Sequence, residues 1–259
     1  MLSVLTDKAA DVRSALDAVI DPELDEPITN LGFVRSVQID GETVVVHLRL
    51  PTSFCSPNFA YLMASDSKDA LTDLPWTHRV VVELDDHHDS DIINRGLAAD
   101  AGYKGTFKHE AESDLDELRL TFQRKAHTAA MERCLTRLLR AEPDRPLESL
   151  STVSLTDLVD DIATATLGRR RQVLGLPSAP DSLVMVDHRG FGYAPDEVPM
   201  ALRRARSTRI SIDGNAHFCR GLLATRYPGS DQDQAFRAEG TESSGTAFIP
   251  LTELKEHRS

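Results

Sequence analysis

Three places in the sequence hold side chains able to do chemistry. The first is Cys55, in Pro51-Thr52-Ser53-Phe54-Cys55-Ser56-Pro57, where an alternating segment hands over to a helical one. A thiol at a helix start faces backbone N–H groups and the positive end of the helix dipole, which favour thiolate. Thiolate is the form that binds metal or attacks an electrophile. The competing reading is a small residue packed at a helix start. Asp21 and Glu23 lie in the turn Asp21-Pro22-Glu23 after the first helical segment. Carboxylates there serve as caps, as salt-bridge partners or as hard metal ligands. The second place is the run Asp85-Asp86-His87-His88-Asp89-Ser90-Asp91, whose oxygen and imidazole donors suit iron, zinc or manganese. The alternative is a solvated acidic loop with a helix cap at Asp89 or Ser90, and the run has no His-Glu-x-x-His spacing. The third place is His217-Phe218-Cys219. On a strand, residues two apart share a face, so imidazole and thiol would chelate a metal or form a nucleophile–base pair, with Asp187-His188 nearby. The competing reading is a half-buried sheet face. Cys134 falls inside a helical pattern and reads as packing.

The elements that must position these groups follow from periodicity. Ala9, Val12, Leu16 and Val19 recur at helical spacing, and Asp21-Pro22 ends that helix. Phe33 to Asp40 alternates, Asp40-Gly41 signals a hairpin, and Thr43 to Leu50 returns. In that return strand Val44, Val46, Leu48 and Leu50 form one face, and Val45, His47 and Arg49 the other. Ser53 or Ser56 can cap a second helix, with Pro57 in its first turn and Phe59, Leu62, Met63, Ala70 and Leu71 on one side. Trp76 to Leu84 reads as a third strand. The order is α-β-β-α-β.

Beyond this, a short helix is expected over about Asp89 to Ala101, a strand over Leu118 to Phe122, and a helix over 126–140. Another helix is expected to start near Ser154, a strand over Leu183 to Val186, and a helix over Glu197 to Arg206. A hairpin around Asp213-Gly214-Asn215 would pair Arg209–Ile212 with Ala216–Leu223. The polar stretch Gly229 to Gly245 is expected to be mobile. The fold class is therefore α+β, with domains at 1–120 and 121–259, the latter a mixed α/β accessory domain.

Residues 21–56 resemble the SufT/PaaD-type iron–sulfur assembly domain. The resemblance rests on the Asp21-Pro22-Glu23 turn, the step Asn30-Leu31-Gly32-Phe33-Val34 into a hairpin, and the threonine-led loop with one cysteine before the second helix. It covers about residues 8–85. Two positions depart from the usual pattern: Thr52 stands three residues before Cys55 rather than four, and Ser56 separates Cys55 from Pro57. The resemblance implies a non-catalytic maturation factor that helps install iron or an iron–sulfur cluster in a client metalloenzyme, such as a multicomponent oxygenase. It implies Cys55 as the metal-contacting thiol with Asp21 and Glu23 nearby; His87, His88, His217 and Cys219 are secondary metal candidates. One cysteine cannot hold a cluster, which generally needs four protein ligands, so the iron or cluster would be transient. The remaining ligands would come from a client, the assembly machinery or a homodimer. The alternatives are a cysteine-dependent enzyme and a structural adaptor without metal.

Composition narrows the classes further. The 259 residues carry a formal charge of −12. The first 120 hold 10 basic and 23 acidic residues, while the remainder is nearly neutral. A carboxylate surplus repels phosphate backbones, so nucleic acid is not an expected partner. The clusters Arg169-Arg170-Arg171 and Arg203-Arg204, with Arg206 and Arg209, lack interleaved aromatics and read as solvated or docking faces. No run approaches the ~18 apolar residues that span a bilayer. The N-terminus lacks the basic and apolar regions of a signal peptide. Three cysteines make no disulfide framework and point to a cytoplasmic, reducing compartment.

Overall fold

The computed structural model describes residues 2–108, 115–230 and 247–248. Contacts group Met1–Leu115 with the chain from Ala216 onward, and set Asp116–Asn215 apart as a second unit.

In the first unit, α1 (Leu2–Asp17) leads to a two-strand ribbon, β1 (Ile20–Asp21) paired with β2 (Glu26–Pro27). A hairpin follows, β3 (Val34–Asp40) and β4 (Thr43–Arg49), joined by Gly41-Glu42. Gly41 has φ +58°, a left-handed geometry at the first of two connecting residues that glycine adopts without a Cβ clash. Helix α2 (Pro57–Thr72) crosses over to β5 (Arg79–Asp85), which lies parallel to β4 from Thr43↔Arg79 to Arg49↔Asp85. A two-residue strand, β6 (Ala247–Phe248), pairs with β3, giving the order β5-β4-β3-β6. Helices α3 (Ser90–Ala98) and α4 (Gly102–Phe107) complete this unit before the C-terminal helix returns.

The α-β-β-α-β order read from the sequence is thus present. Val44, Val46 and Leu48 are buried with Val82 and Leu84 of the neighbouring strand, against Val12 and Leu16 of α1 and Tyr61, Met63 and Leu71 of α2. Each fully buried Leu, Ile or Val contributes about 1.5–3 kcal/mol, which makes this face the main stabilising feature of the unit. Pro57 occupies the first turn of α2 and Ser56 its N-cap position, without a side-chain capping bond.

The second unit is helical. It contains α5 (Leu115–Ala141), two short 3₁₀ turns (Leu147–Thr152 and Leu155–Asp157) and α6 (Ile162–Val173), and it includes the first part of α7 (Val198–Arg226). Its core joins Met131, Cys134, Leu135, Leu150, Leu167, Met185, Val198 and Leu202.

Several expected strands are corrected here. Leu118–Phe122 is part of α5, because Leu115, Leu118 and Phe122 recur at helical spacing and continue into the helix expected at 126–140. Leu183–Val186 makes only isolated bridges, Ser154 with Leu183 and Val186 with Gly192. The hairpin about Asp213-Gly214 does not form; one helix runs from Val198 to Arg226. Buried Val198, Leu202, Ala205, Ile212, Ala216 and Leu223 recur at intervals of three, four or seven residues, and that pattern outweighs the ~1 kcal/mol each interior glycine costs a helix. Asp213, expected in a turn, instead bonds Arg209 one turn earlier, at 2.8 Å. Nor is Arg171 solvated: fully buried, it donates to the carbonyls of Pro177 (2.7 Å) and Leu183 (2.9 Å). Of the polar stretch 229–245, all beyond Ser230 lies outside the described residues.

Candidate functional site

Because β4 and β5 are parallel neighbours, the loops leaving their C-terminal ends lie side by side. These loops are Leu50–Ser56 and Asp86–Asp89. His88 N–H donates to the Ser53 carbonyl at 2.9 Å. The Asp89 N–H donates to His87 Nδ1 at 3.0 Å, so that nitrogen accepts, and Nε2–H donates to the Cys55 carbonyl at 2.8 Å. A neutral His87, buried, thereby clamps the cysteine backbone. The Phe54 and His88 rings stack at 5.9 Å, with Phe54 81% exposed. Cys55 itself is half-buried, its sulfur 3.4 Å from Thr52 Oγ1.

The acidic turn is equally constrained. Asp21 is buried, and its Oδ1 accepts from the N–H groups of Glu23 (2.9 Å) and Leu24 (2.8 Å). Burial pushes the Asp21 carboxyl up to about 6, although those two N–H bonds pull the other way.

The C-terminal end of α7 brings in what the sequence did not connect. Ala216 and Leu223 are buried in the first unit's core, and Cys55 and Cys219 both pack against that core. Arg226 donates to the Leu50 carbonyl (3.1 Å), to Ser53 Oγ (2.8 Å) and to the Asp86 carbonyl. Tyr227 donates to Asp86 Oδ2 at 3.0 Å, and its ring lies 5.2 Å from the guanidinium of fully buried Arg49. Asp86 sits at φ +53°, a strained conformation for a residue with a Cβ, held by these bonds. Arg220 pairs with Glu26, beside the acidic turn. Cys219 immediately precedes Arg220, the first of these anchors along the helix, and is within electrostatic range of Cys55, Asp21 and Glu23. Its thiol is pushed up to about 11, first by burial and then by those three charges.

Cys55 and Cys219 thus pack against the same core, and Cys219 feels the charges of Asp21 and Glu23. His87 is adjacent but committed to the loop, and His88 is exposed against Phe54. The pairing of His217 with Cys219 is corrected: on a helix, residues two apart point about 200° apart. His217 is exposed while Cys219 packs inward. Cys134 is buried in the second unit's core, as expected for packing. Among the described residues, no three His, Cys, Asp or Glu side chains converge as a complete metal cage.

The sequence reading missed Arg226 and Tyr227, whose only signal was a cation and an aromatic ending an amphipathic pattern before Pro228. It also missed a polar row on the outer sheet face. There Asp85 accepts from Arg35 (2.9 Å) and pairs with His47 Nδ1 (3.0 Å). The Asp85 bond holds His47 above the usual imidazole range despite its burial.

A family described as iron–sulfur cluster assembly protein matches residues 9–84. An uncharacterized protein of Methanocaldococcus jannaschii is 33% identical over 88 residues, which are 34% of this chain and 90% of that one. The chain belongs to the iron–sulfur cluster assembly protein family. The matched segment coincides with the resemblance read from residues 8–85, and it contains Asp21, Glu23 and Cys55. An iron–sulfur cluster carrier protein of Mycobacterium leprae is 41% identical over 82 residues, 30% of this chain and 21% of the relative. The Bacillus subtilis protein YitW, an Fe–S protein maturation auxiliary factor, is 35% identical over 65 residues, 25% of this chain and 63% of its own length. The chain thus spans about a fifth of the mycobacterial carrier's length. No solved structure matches at a significant level. No helix among the described residues is long and apolar enough to cross a membrane.

Proposed function

We propose that this protein is a non-catalytic factor that holds iron or an iron–sulfur cluster transiently and delivers it to a client metalloprotein. Cys55 is the contact thiol, with Asp21 and Glu23 as the carboxylates that tune its surroundings. The observation that carries this reading is the half-exposed Cys55 on a backbone clamped from two sides, by His87 and by Arg226. A fixed, accessible thiol without a complete cage suits a cargo that must leave. Its soft sulfur favours iron–sulfur chemistry, and the open coordination positions await sulfide and the client's own ligands. Exposed Phe54 beside Cys55 gives the client an apolar contact at the point of transfer. The family resemblance carries over a multicomponent oxygenase as the client class, and the free cysteines fit a reducing cytoplasm as the compartment.

The reading predicts that the iron-loaded chain passes iron and sulfide to an apo-ferredoxin acceptor, and that Cys55→Ala does not. Transfer by Cys55→Ala at the natural rate would remove Cys55 from the delivery step. The cysteine-dependent enzyme is less well supported, since His87, the imidazole bonded to the Cys55 backbone, has its Nε2–H committed to that carbonyl and its Nδ1 to the Asp89 N–H.

A further inference from the structure

Cys219 lies outside the family-matched residues 9–84, yet α7 packs it against the core on which Cys55 also packs. Its position is fixed by two arginines that follow it on the helix. Arg220, the next residue, pairs with Glu26 of the acidic turn. Arg226, two turns further along the same helix, bonds Leu50, Ser53 and Asp86 on the loops around Cys55. Ala216 and Leu223 flank Cys219 on the same helix face, and both are buried in the core against which Cys55 packs. The helix cannot turn Cys219 away without breaking these contacts.

We propose that Cys219 supplies a second thiolate to the metal carried at Cys55, making a two-sulfur seat shared by the assembly domain and the C-terminal helix. This rests on the reading of Cys55 as the cargo thiol and deepens it. Two thiolates make the donor set softer than one thiolate among carboxylates, which favours iron–sulfur species and zinc-like ions over magnesium or calcium. On binding a divalent ion, each thiol releases its proton to buffer, and the ion's charge offsets the two thiolates. Two ligands still leave positions open, so the seat holds cargo without trapping it.

The test uses the full chain carrying Cys134→Ala, so that Cys55 and Cys219 are its only thiols, with the natural chain alongside. Cobalt(II) added without oxygen reports thiolate ligands through its near-ultraviolet sulfur-to-metal absorption. Cys55→Ala and Cys219→Ala should each lower that absorption per bound cobalt by about half, and the double variant should abolish it. Full absorption in Cys219→Ala, with all of it lost in Cys55→Ala, would overturn the second ligand and leave the carrier reading standing. No sulfur-to-cobalt absorption in the parent chain would overturn both. A fold-independent check is dibromobimane, which fluoresces on bridging two nearby thiols. It should label the Cys134→Ala chain with both arms, and single-arm labelling would contradict the geometry.

Discussion

Each unit buries a carboxylate, and the two are treated in opposite ways. In the second unit, Glu132 is fully buried, but Thr136 (2.7 Å), Arg206 (3.2 Å) and Arg209 (2.5 Å) all donate to it. Burial alone would raise its carboxyl; those donors outweigh burial and hold it below the usual range. In the first unit, Asp21 is also buried, yet its Oδ1 accepts from two backbone N–H groups, and its carboxyl rises to about 6. The cysteines divide the same way: Cys134 is packed in a core, whereas Cys55 is half-exposed in a clamped loop. A buried charge that is fully partnered is structural. A buried carboxyl with fewer donors is held at a stability cost, which a visiting cation would offset.

The sharpest way to break the comparison is to strand Glu132. Replacing Arg206 and Arg209 together with Met should cost about 3–5 kcal/mol in urea unfolding, because a buried carboxylate loses both cations. A loss under 1 kcal/mol would mean that Glu132 is not a structural anchor.

The opposite sign is expected at Asp21. Its folded value is above the unfolded 3.8, so its contribution is most favourable at low pH and is lost as pH rises from about 4 to about 6. Asp21→Asn keeps an oxygen for the Glu23 and Leu24 N–H groups and removes that penalty. It should stabilise the protein above pH 6 by up to about 3 kcal/mol and flatten its stability between about pH 4 and 6. The same variant should weaken iron binding. Destabilisation at pH 8 would show that the carboxylate is already compensated.

Smaller effects follow at the clamp and the outer face. Arg226→Gln removes guanidinium bonds to Leu50 and Ser53 and should cost about 1–2 kcal/mol, with faster amide exchange confined to the Cys55 loop. Exchange that is unchanged there would detach α7 from the site. His47, raised by Asp85, contributes stability at low pH that is lost as pH rises through its folded value. His47→Gln should therefore cost up to about 1 kcal/mol near pH 6 and less at pH 9, checked by thermal unfolding at both.

The first unit was legible because its signals are local. Alternation in Thr43–Leu50, the Asp40-Gly41 turn and Pro57 at a helix start each settle their own geometry within a few residues. Cys55, Asp21 and Glu23, which the family resemblance singles out, lie within or beside those local elements. What was not legible depends on distant packing. The Asp213-Gly214-Asn215 signal describes a hairpin only when strands flank it. Here the apolar spacing from Val198 to Leu223 is helical, and that longer pattern decides. The error hid the proposed second sulfur. Read on a strand, Cys219 faces His217; read on the helix, it faces the core against which Cys55 also packs. Likewise Arg171 looked solvated within a run of three arginines, because the carbonyls that receive it at Pro177 and Leu183 come together only in the fold.

The central claim is that Cys55 seats the cargo. The direct test is iron and sulfide bound per chain after anaerobic reconstitution, with the natural protein and Cys55→Ala in parallel. The account predicts iron and sulfide on the natural chain and their loss in Cys55→Ala, with both proteins equally folded. Equal iron on the two chains would contradict it and move the metal elsewhere in the molecule.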